Sequence, residues 1–166
     1  MDKANIYIGE IQTQIEFAKK AFDEYLETKK KEDLLSIFYH IHHFLIHVTN
    51  IDKLIDTSAN SFRSSIINNR FFTDNHVDLK QFRKLRNHLE HFDKRLDMWV
   101  KNYDGAAFFD MNIITGAKGF PEKAFLRALD GDIFKFHGES YNLKNLIEEV
   151  EKIEKIIKIY LERLTK

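Results

Sequence analysis

The sequence predicts a mainly α protein, an antiparallel up-and-down four-helix bundle with a small β-hairpin insertion between helices 3 and 4. Three observations lead there. Four long segments carry apolar side chains three and four residues apart, the spacing that lines one face of a helix. All but one of the six glycines, and the only proline, fall within residues 102–141. Inside that stretch an Asp-Gly pair separates two runs of strand-forming residues, a hairpin signal.

The first helix is expected from about Lys3 to Thr28, with Tyr7, Ile11, Ile15, Ala18, Phe22 and Tyr25 on one stripe. A charged turn containing Lys29, Lys30 and Lys31 follows, read as a solvated connection. Asp33 can cap the second helix by accepting from its first free amides. That helix runs to about Asp56 and turns Leu34, Ile37, Phe38, Ile41, Phe44, Leu45, Val48, Ile51 and Ile55 inward. Residues 57–76, rich in Ser and Asn, read as a loop or a short helical piece. The third helix, about Val77 to Lys101, buries Leu79, Phe82, Leu85, Leu89, Phe92, Leu96 and Trp99. The fourth, from Asn142 to about Leu164, buries Leu143, Leu146, Ile147, Val150, Ile153, Ile157, Tyr160 and Leu161. Between them, strands over 125–129 and 132–136 flank Asp130-Gly131, which suits a type I′ turn. Residues 102–141 are too few to hold a core of their own, so 1–166 is read as a single domain.

Composition removes several function classes. Lys plus Arg and Asp plus Glu are 26 each, so no global field draws the chain onto nucleic acid or an anionic membrane. A surface for RNA must then be a local patch, or one assembled by pairing two subunits. The chain has no cysteine, which excludes disulfides, thiolate metal sites and cysteine nucleophiles. No apolar run reaches the roughly 18 residues of a membrane span, and the opening Met-Asp-Lys-Ala-Asn lacks a basic region followed by an apolar one. A cytoplasmic protein is the expectation, with no membrane partner.

The chemistry concentrates in Arg86-Asn87-His88-Leu89-Glu90-His91 on the third helix. Cleavage of RNA by its own ribose 2′-OH needs a base, stabilisation of the charged phosphorane and a protonated leaving group. A histidine, titrating near pH 6.5 when unperturbed, serves as base or acid. A guanidinium offers a planar fork of donors to phosphoryl oxygens. Neither needs a metal or other cofactor. Asn87 lies four residues before His91, on the same helical face, and can orient it. Arg86 and His91 themselves point roughly 140° apart on a regular helix. They act together only if Arg86 wraps around the helix or a second copy supplies the partner.

An arginine followed four to six residues later by histidine also occurs at Arg70 to His76 and Arg83 to His88. Of the three, only Arg86 has Asn, Asp or His directly after it. This Arg-polar-x-x-x-His pattern, on a helix of a small bundle, resembles the HEPN superfamily. The resemblance implies a metal-independent endoribonuclease or an RNA-binding domain, of the kind found in toxin–antitoxin and phage-defence systems. It further implies a homodimer whose two motifs line one cleft, with an antitoxin as a possible partner. Carried over by position, Arg86 stabilises the phosphate, Asn87 is the polar residue and His91 transfers the proton.

Other readings of the same residues stay open. In a non-catalytic interaction module, Arg86 simply pairs with Glu90 or Asp93, and His91 is an ordinary surface residue. In a histidine-lined metal-binding bundle, His40, His43 and His47, spaced along one flank of the second helix, are the ligands. That reading lacks the Glu-x-x-His carboxylates that bundle metal sites usually employ. The same histidines can also line a groove or a subunit interface. Phe108, Phe109, Phe134 and Phe136 are weighed as a base-stacking platform or as apolar cover for the end of the bundle.

Overall fold

A computed structural model of the chain describes residues 3–57, 61–67, 76–105, 110–116 and 125–164. It is mostly helical, with a small mixed sheet. In chain order the described elements are α1 (Lys3–Lys30), α2 (Leu34–Ile55), the short α3 (Ser61–Ser64), α4 (Lys80–Glu90) and α5 (Phe92–Lys101). Strands β1 (Asn112–Ile113), β2 (Arg127–Asp130), β3 (Ile133–Phe136) and β4 (Glu139–Asn142) follow, and α6 (Leu143–Leu164) closes the chain.

α1 and α2 pack along their lengths as a helical hairpin; α4 lies on α2, and α6 on α1. Asp33 caps α2 as its position predicts. Its side chain accepts from the Ser36 amide at 3.2 Å and the Ser36 hydroxyl at 2.6 Å. The apolar stripes of α1, α2, α4 and α6 meet in one core that includes Ile11, Ile15, Phe44, Ile51, Phe82, Leu85, Val150 and Ile153. Two expected core residues are exposed instead, Leu34 at 41% and Leu96 at 37%. Leu34 sits at the first turn of α2, above the core, and Leu96 follows a break in the third helix.

That break is the main departure from the predicted helices. The expected helix over 77–101 begins at Lys80 and divides at His91, whose φ of −119° and ψ of 37° leave the helical region. Neither glycine nor proline marks the place. The division falls beside the sheet, which His88 already meets at Phe136 one turn before it. Phe92, just beyond it, faces the Phe136 ring at 6.1 Å between centroids and lies under the Arg127 guanidinium.

Residues 102–141 hold more than one hairpin. The sheet runs β1-β2-β3-β4, with β1 parallel to β2 and the other pairs antiparallel. Asp130 pairs with Ile133, so the first turn is Gly131-Asp132, one residue later than the sequence suggests. Gly131 has φ 61° and Asp132 a negative φ, the sign pattern of a type II′ turn rather than I′. A second hairpin turns at His137-Gly138, where φ is 50° and 80°, both positive as type I′ requires. Leu126, Leu129, Phe134, Phe136 and Tyr141 belong to the same core as the helices.

Charge fixes the sheet to the helices. Lys29 Nζ donates to the Gly131 carbonyl and to Asp132, both at 2.8 Å, and Lys144 reaches the other Asp132 oxygen at 2.8 Å. The lysine of the supposedly solvated turn thus anchors the β2–β3 turn. The Lys144 and Lys29 contacts hold the Asp132 carboxyl down at about 2. At the other end of β4, Asn142 Oδ1 accepts from the Lys144 and Asn145 amides at 3.0 and 3.2 Å, capping α6.

Candidate functional site

α4 presents its two flanks to different neighbours. Phe82 and Leu85 are fully buried and set the rotation of the helix. Arg83 and Arg86, three apart on one flank, then face α2. Arg86 Nη1 donates to Asp52 Oδ2 at 3.2 Å, and Arg83 Nε stands 3.6 Å from Asp52 Oδ1 and 3.7 Å from Asp56 Oδ2. Asp52 is wholly enclosed, whereas Arg86 is 28% and Arg83 50% exposed. Burial is the strongest influence on Asp52 and outweighs the attraction of Arg86 and Arg83, raising its carboxyl to about 6. Its Oδ1 has no hydrogen-bond partner.

The expected Arg86–Glu90 pair is absent. Glu90 instead meets Lys53 of α2, at 2.7 Å. The Lys53 hydrogen bond is the main reason the Glu90 carboxyl lies below its usual range, with Arg86 and His91 adding attraction. Arg86, Glu90 and His91 thus share one electrostatic neighbourhood. His91 is exposed at the α4–α5 break, and Asn87 is exposed on α4. The geometry therefore provides an anchored guanidinium with an accessible edge, a second partly exposed arginine beside it, and an accessible imidazole at the end of the same helix. No hydrogen bond joins Asn87 or His91 to Arg86 among the described residues.

Sequence reasoning missed Asp52, although a signal was present. It stands four residues after Val48 and three before Ile55, on the apolar face of α2. A carboxylate there must find a cation or give up its charge.

The alternative metal ligands are engaged elsewhere. The rings of His40 and His43 lie against Tyr39, at 5.1 and 4.3 Å between centroids. His47 Nδ1 meets Gln14 Oε1 at 2.9 Å, and its ring contacts Phe17. Among the described residues no group of three or more His, Cys, Asp or Glu side chains is placed to hold a metal ion. Phe134 and Phe136 are core residues, 3% and 1% exposed, so they offer no face to a base; Phe108 and Phe109 lie outside the described residues. The pair Arg70 to His76 likewise rests on a residue outside them. Among the described residues no helix is long and apolar enough to cross a membrane.

Comparison with protein-family models, curated proteins and solved structures finds no match to this chain.

Proposed function

We propose that this chain is a HEPN-like, metal-independent endoribonuclease or RNA-binding protein, working as a homodimer on an up-and-down four-helix bundle with a β insertion. The observation that carries the reading is the half-enclosed Arg86 guanidinium, held by one edge on Asp52 while the exposed His91 stands at the end of the same helix. A guanidinium fixed in this way has lost its rotameric freedom before a phosphodiester arrives, which favours binding. Arg83 adds a second positive charge to the same flank. In the reaction Arg86 stabilises the phosphorane, His91 moves the proton and Asn87 orients His91. On a regular helix Arg86 and His91 point roughly 140° apart, so in this reading each phosphodiester is served by groups from two subunits. A toxin–antitoxin or phage-defence setting, with an antitoxin partner, follows from the same resemblance.

One observation favours a second reading, a non-catalytic interaction module. The buried Asp52 needs a nearby cation, and Arg86 supplies one whatever else it does. The two readings separate on His91, which is outside the core. Single-stranded RNA is incubated in EDTA with wild type, His91→Ala and Arg86→Lys, all checked for folding by circular dichroism. The nuclease reading expects 2′,3′-cyclic phosphate ends from the wild type and a loss of about 10²-fold or more in His91→Ala. Equal cleavage by both removes His91 from the chemistry. RNA binding without cleavage by any form leaves the RNA-binding reading.

A further inference from the structure

Of the three long helices, α2 alone turns an uncharged face outward. Residues 34–51 contain no Asp, Glu, Lys or Arg, whereas α1 and α6 interleave lysine with acidic residues. A helix at a protein surface ordinarily presents charge to water. On α2 the outward stripe is Leu35, Tyr39, His43, Ile46 and Asn50, each three or four residues from the next. Leu35 is 69% and Tyr39 56% exposed, and Phe17 of α1, 47% exposed, widens the patch. Its rings are already packed in pairs, Tyr39 on His43 and Phe17 on His47. Its polar groups are served from within: Asn50 Nδ2 donates to Gln14 Oε1 at 3.2 Å, and His47 Nδ1 lies 2.9 Å from the same oxygen.

The chemistry of the face selects its partner. Burial is the main cause that lowers His42 and His47 below the ordinary histidine range, with His43 adding to it, so both are neutral near pH 7. The stripe therefore offers no charge to a phosphate or to an acidic or basic protein. A neutral surface of rings and aliphatic side chains matches another like itself. The chain has no net charge, so two copies do not repel one another. Charged groups stand at the margins, Glu10 on the Gln14 amide and Lys53 on Glu90, which is the polar rim of a protein interface.

We propose that the outward face of α2 is the docking surface for a second copy of this chain. A twofold axis crossing α2 between His42 and His43 makes the contact isologous. Each Tyr39 then packs on Ile46 of the partner subunit, and each Leu35 on Asn50 of the partner subunit. The stripe from Leu35 to Asn50 is about 22 Å long, and α1 and α2 side by side are about 20 Å across. That footprint is about 450 Å² a copy, or about 900 Å² in all, the size of a weak, exchanging interface. The proposal rests on the homodimer of the preceding reading and specifies how it is built. α4 flanks α2 on one side, where Leu89 and Phe92 share a small cavity with His42 and Leu45. An axis running across α2 in the plane of contact keeps both α4 helices on that side. His91, between Leu89 and Phe92, then lies near the axis, and the two motifs border one groove.

The test is sedimentation equilibrium of the full chain from about 1 to about 200 μM, for wild type, Tyr39→Glu, Leu35→Glu and Val100→Glu. Tyr39 and Leu35 are exposed, so their variants keep the fold, as circular dichroism checks. Val100 is exposed on α5, away from the stripe, and serves as the control. A wild-type dimer with micromolar dissociation constant is expected, weakened about tenfold or more by either stripe variant, which places an unpaired carboxylate in the contact, and unchanged by Val100→Glu. The chain has no cysteine, so His43→Cys reports on the axis: under mild oxidation it should form a disulfide-linked dimer faster than Val100→Cys does. A dimer that both stripe variants leave intact overturns this face while the homodimer stands, as does cross-linking no faster at His43 than at Val100. A wild type still monomeric at about 200 μM overturns both. Should that monomer bind phosphatidylcholine vesicles, and Tyr39→Glu abolish the binding, the face belongs to a lipid surface instead.

Discussion

Substituting Asp52→Asn isolates one buried carboxyl and the balance of forces on it. In the folded chain Asp52 titrates at about 6 against an ordinary 3.8, because enclosure opposes its charge more strongly than Arg86 and Arg83 favour it, with Asp56 adding repulsion. The native state therefore holds the Asp52 proton more tightly than the unfolded chain does. Stability from this group is fully present below about pH 4 and is lost as pH rises through about 6. A displacement of about two pH units, at roughly 1.4 kcal/mol each, amounts to roughly 3 kcal/mol. Urea unfolding of wild type and Asp52→Asn, at intervals from about pH 4 to pH 7.5, measures it. Taking the difference between the two proteins at each pH cancels the titrations they share. That difference should fall by about 3 kcal/mol across the range, most steeply near pH 5, and level off above pH 6. A difference that stays level or rises would refute the reasoning. It would mean that the two arginines hold the carboxylate ionised at no cost, and that burial does not dominate.

The opposite pH dependence is expected of Asp132, whose carboxyl Lys144 and Lys29 hold at about 2. Its contribution is present above about pH 4 and disappears as pH falls toward 2. Screening at the exposed Lys144 limits it to about 1–2 kcal/mol, read as the difference between wild type and Asp132→Asn in urea melts. Gly138→Ala should destabilise by about 1–2 kcal/mol. A Cβ there meets open space, so the whole effect comes from the backbone at φ 80° in the His137-Gly138 turn, and a wild-type melting curve would count against that turn. Asn142→Ala removes the α6 cap and should cost about 1 kcal/mol in denaturant unfolding, with Asn142→Asp recovering most of the loss.

The helices were legible because burial writes a period into the sequence. The stripe Ile37, Ile41, Phe44, Val48, Ile51, Ile55 has no other economical reading, and Asp33 marks where its helix begins. The first β-turn was legible to within one residue, since the glycine that marks it is unmistakable while the register depends on cross-strand packing. The second hairpin was hidden because His137 stands where Asn or Asp usually signals a type I′ turn, although histidine also tolerates positive φ. The break at His91 had no local marker: neither glycine nor proline stands there, and the ring that His88 and Phe92 meet on either side of it, Phe136, lies more than forty residues further along the chain. Asp52 was visible as a misplaced charge on an apolar stripe, but its partners come from α4, about thirty residues further along the chain.

These long-range contacts divide what the sequence presents as one motif. Within Arg86-Asn87-His88-Leu89-Glu90-His91, Arg86 faces the buried carboxylate of α2, His88 faces the sheet, Glu90 pairs with Lys53, and His91 stands exposed at the break. Substitutions only a few residues apart thus perturb different things. A change at Arg86 strips Asp52 of its hydrogen-bonded cation and disturbs stability before any RNA is present. A change at His88 removes a ring packed against Phe136 and Tyr141 of the sheet. His91, like the exposed Asn87, can be truncated without touching the core or a buried charge. Loss of activity in an Arg86 variant is consequently ambiguous between catalysis and folding, whereas loss in His91→Ala with an unchanged melting midpoint is not. If the paired-subunit geometry holds, mixing inactive, folded Arg86→Lys and His91→Ala chains would also restore part of the activity. Each heterodimer then keeps one intact arginine and one intact histidine, and they come from different subunits. Failure to recover activity from a mixture shown to exchange subunits would place both groups of each working site on a single chain.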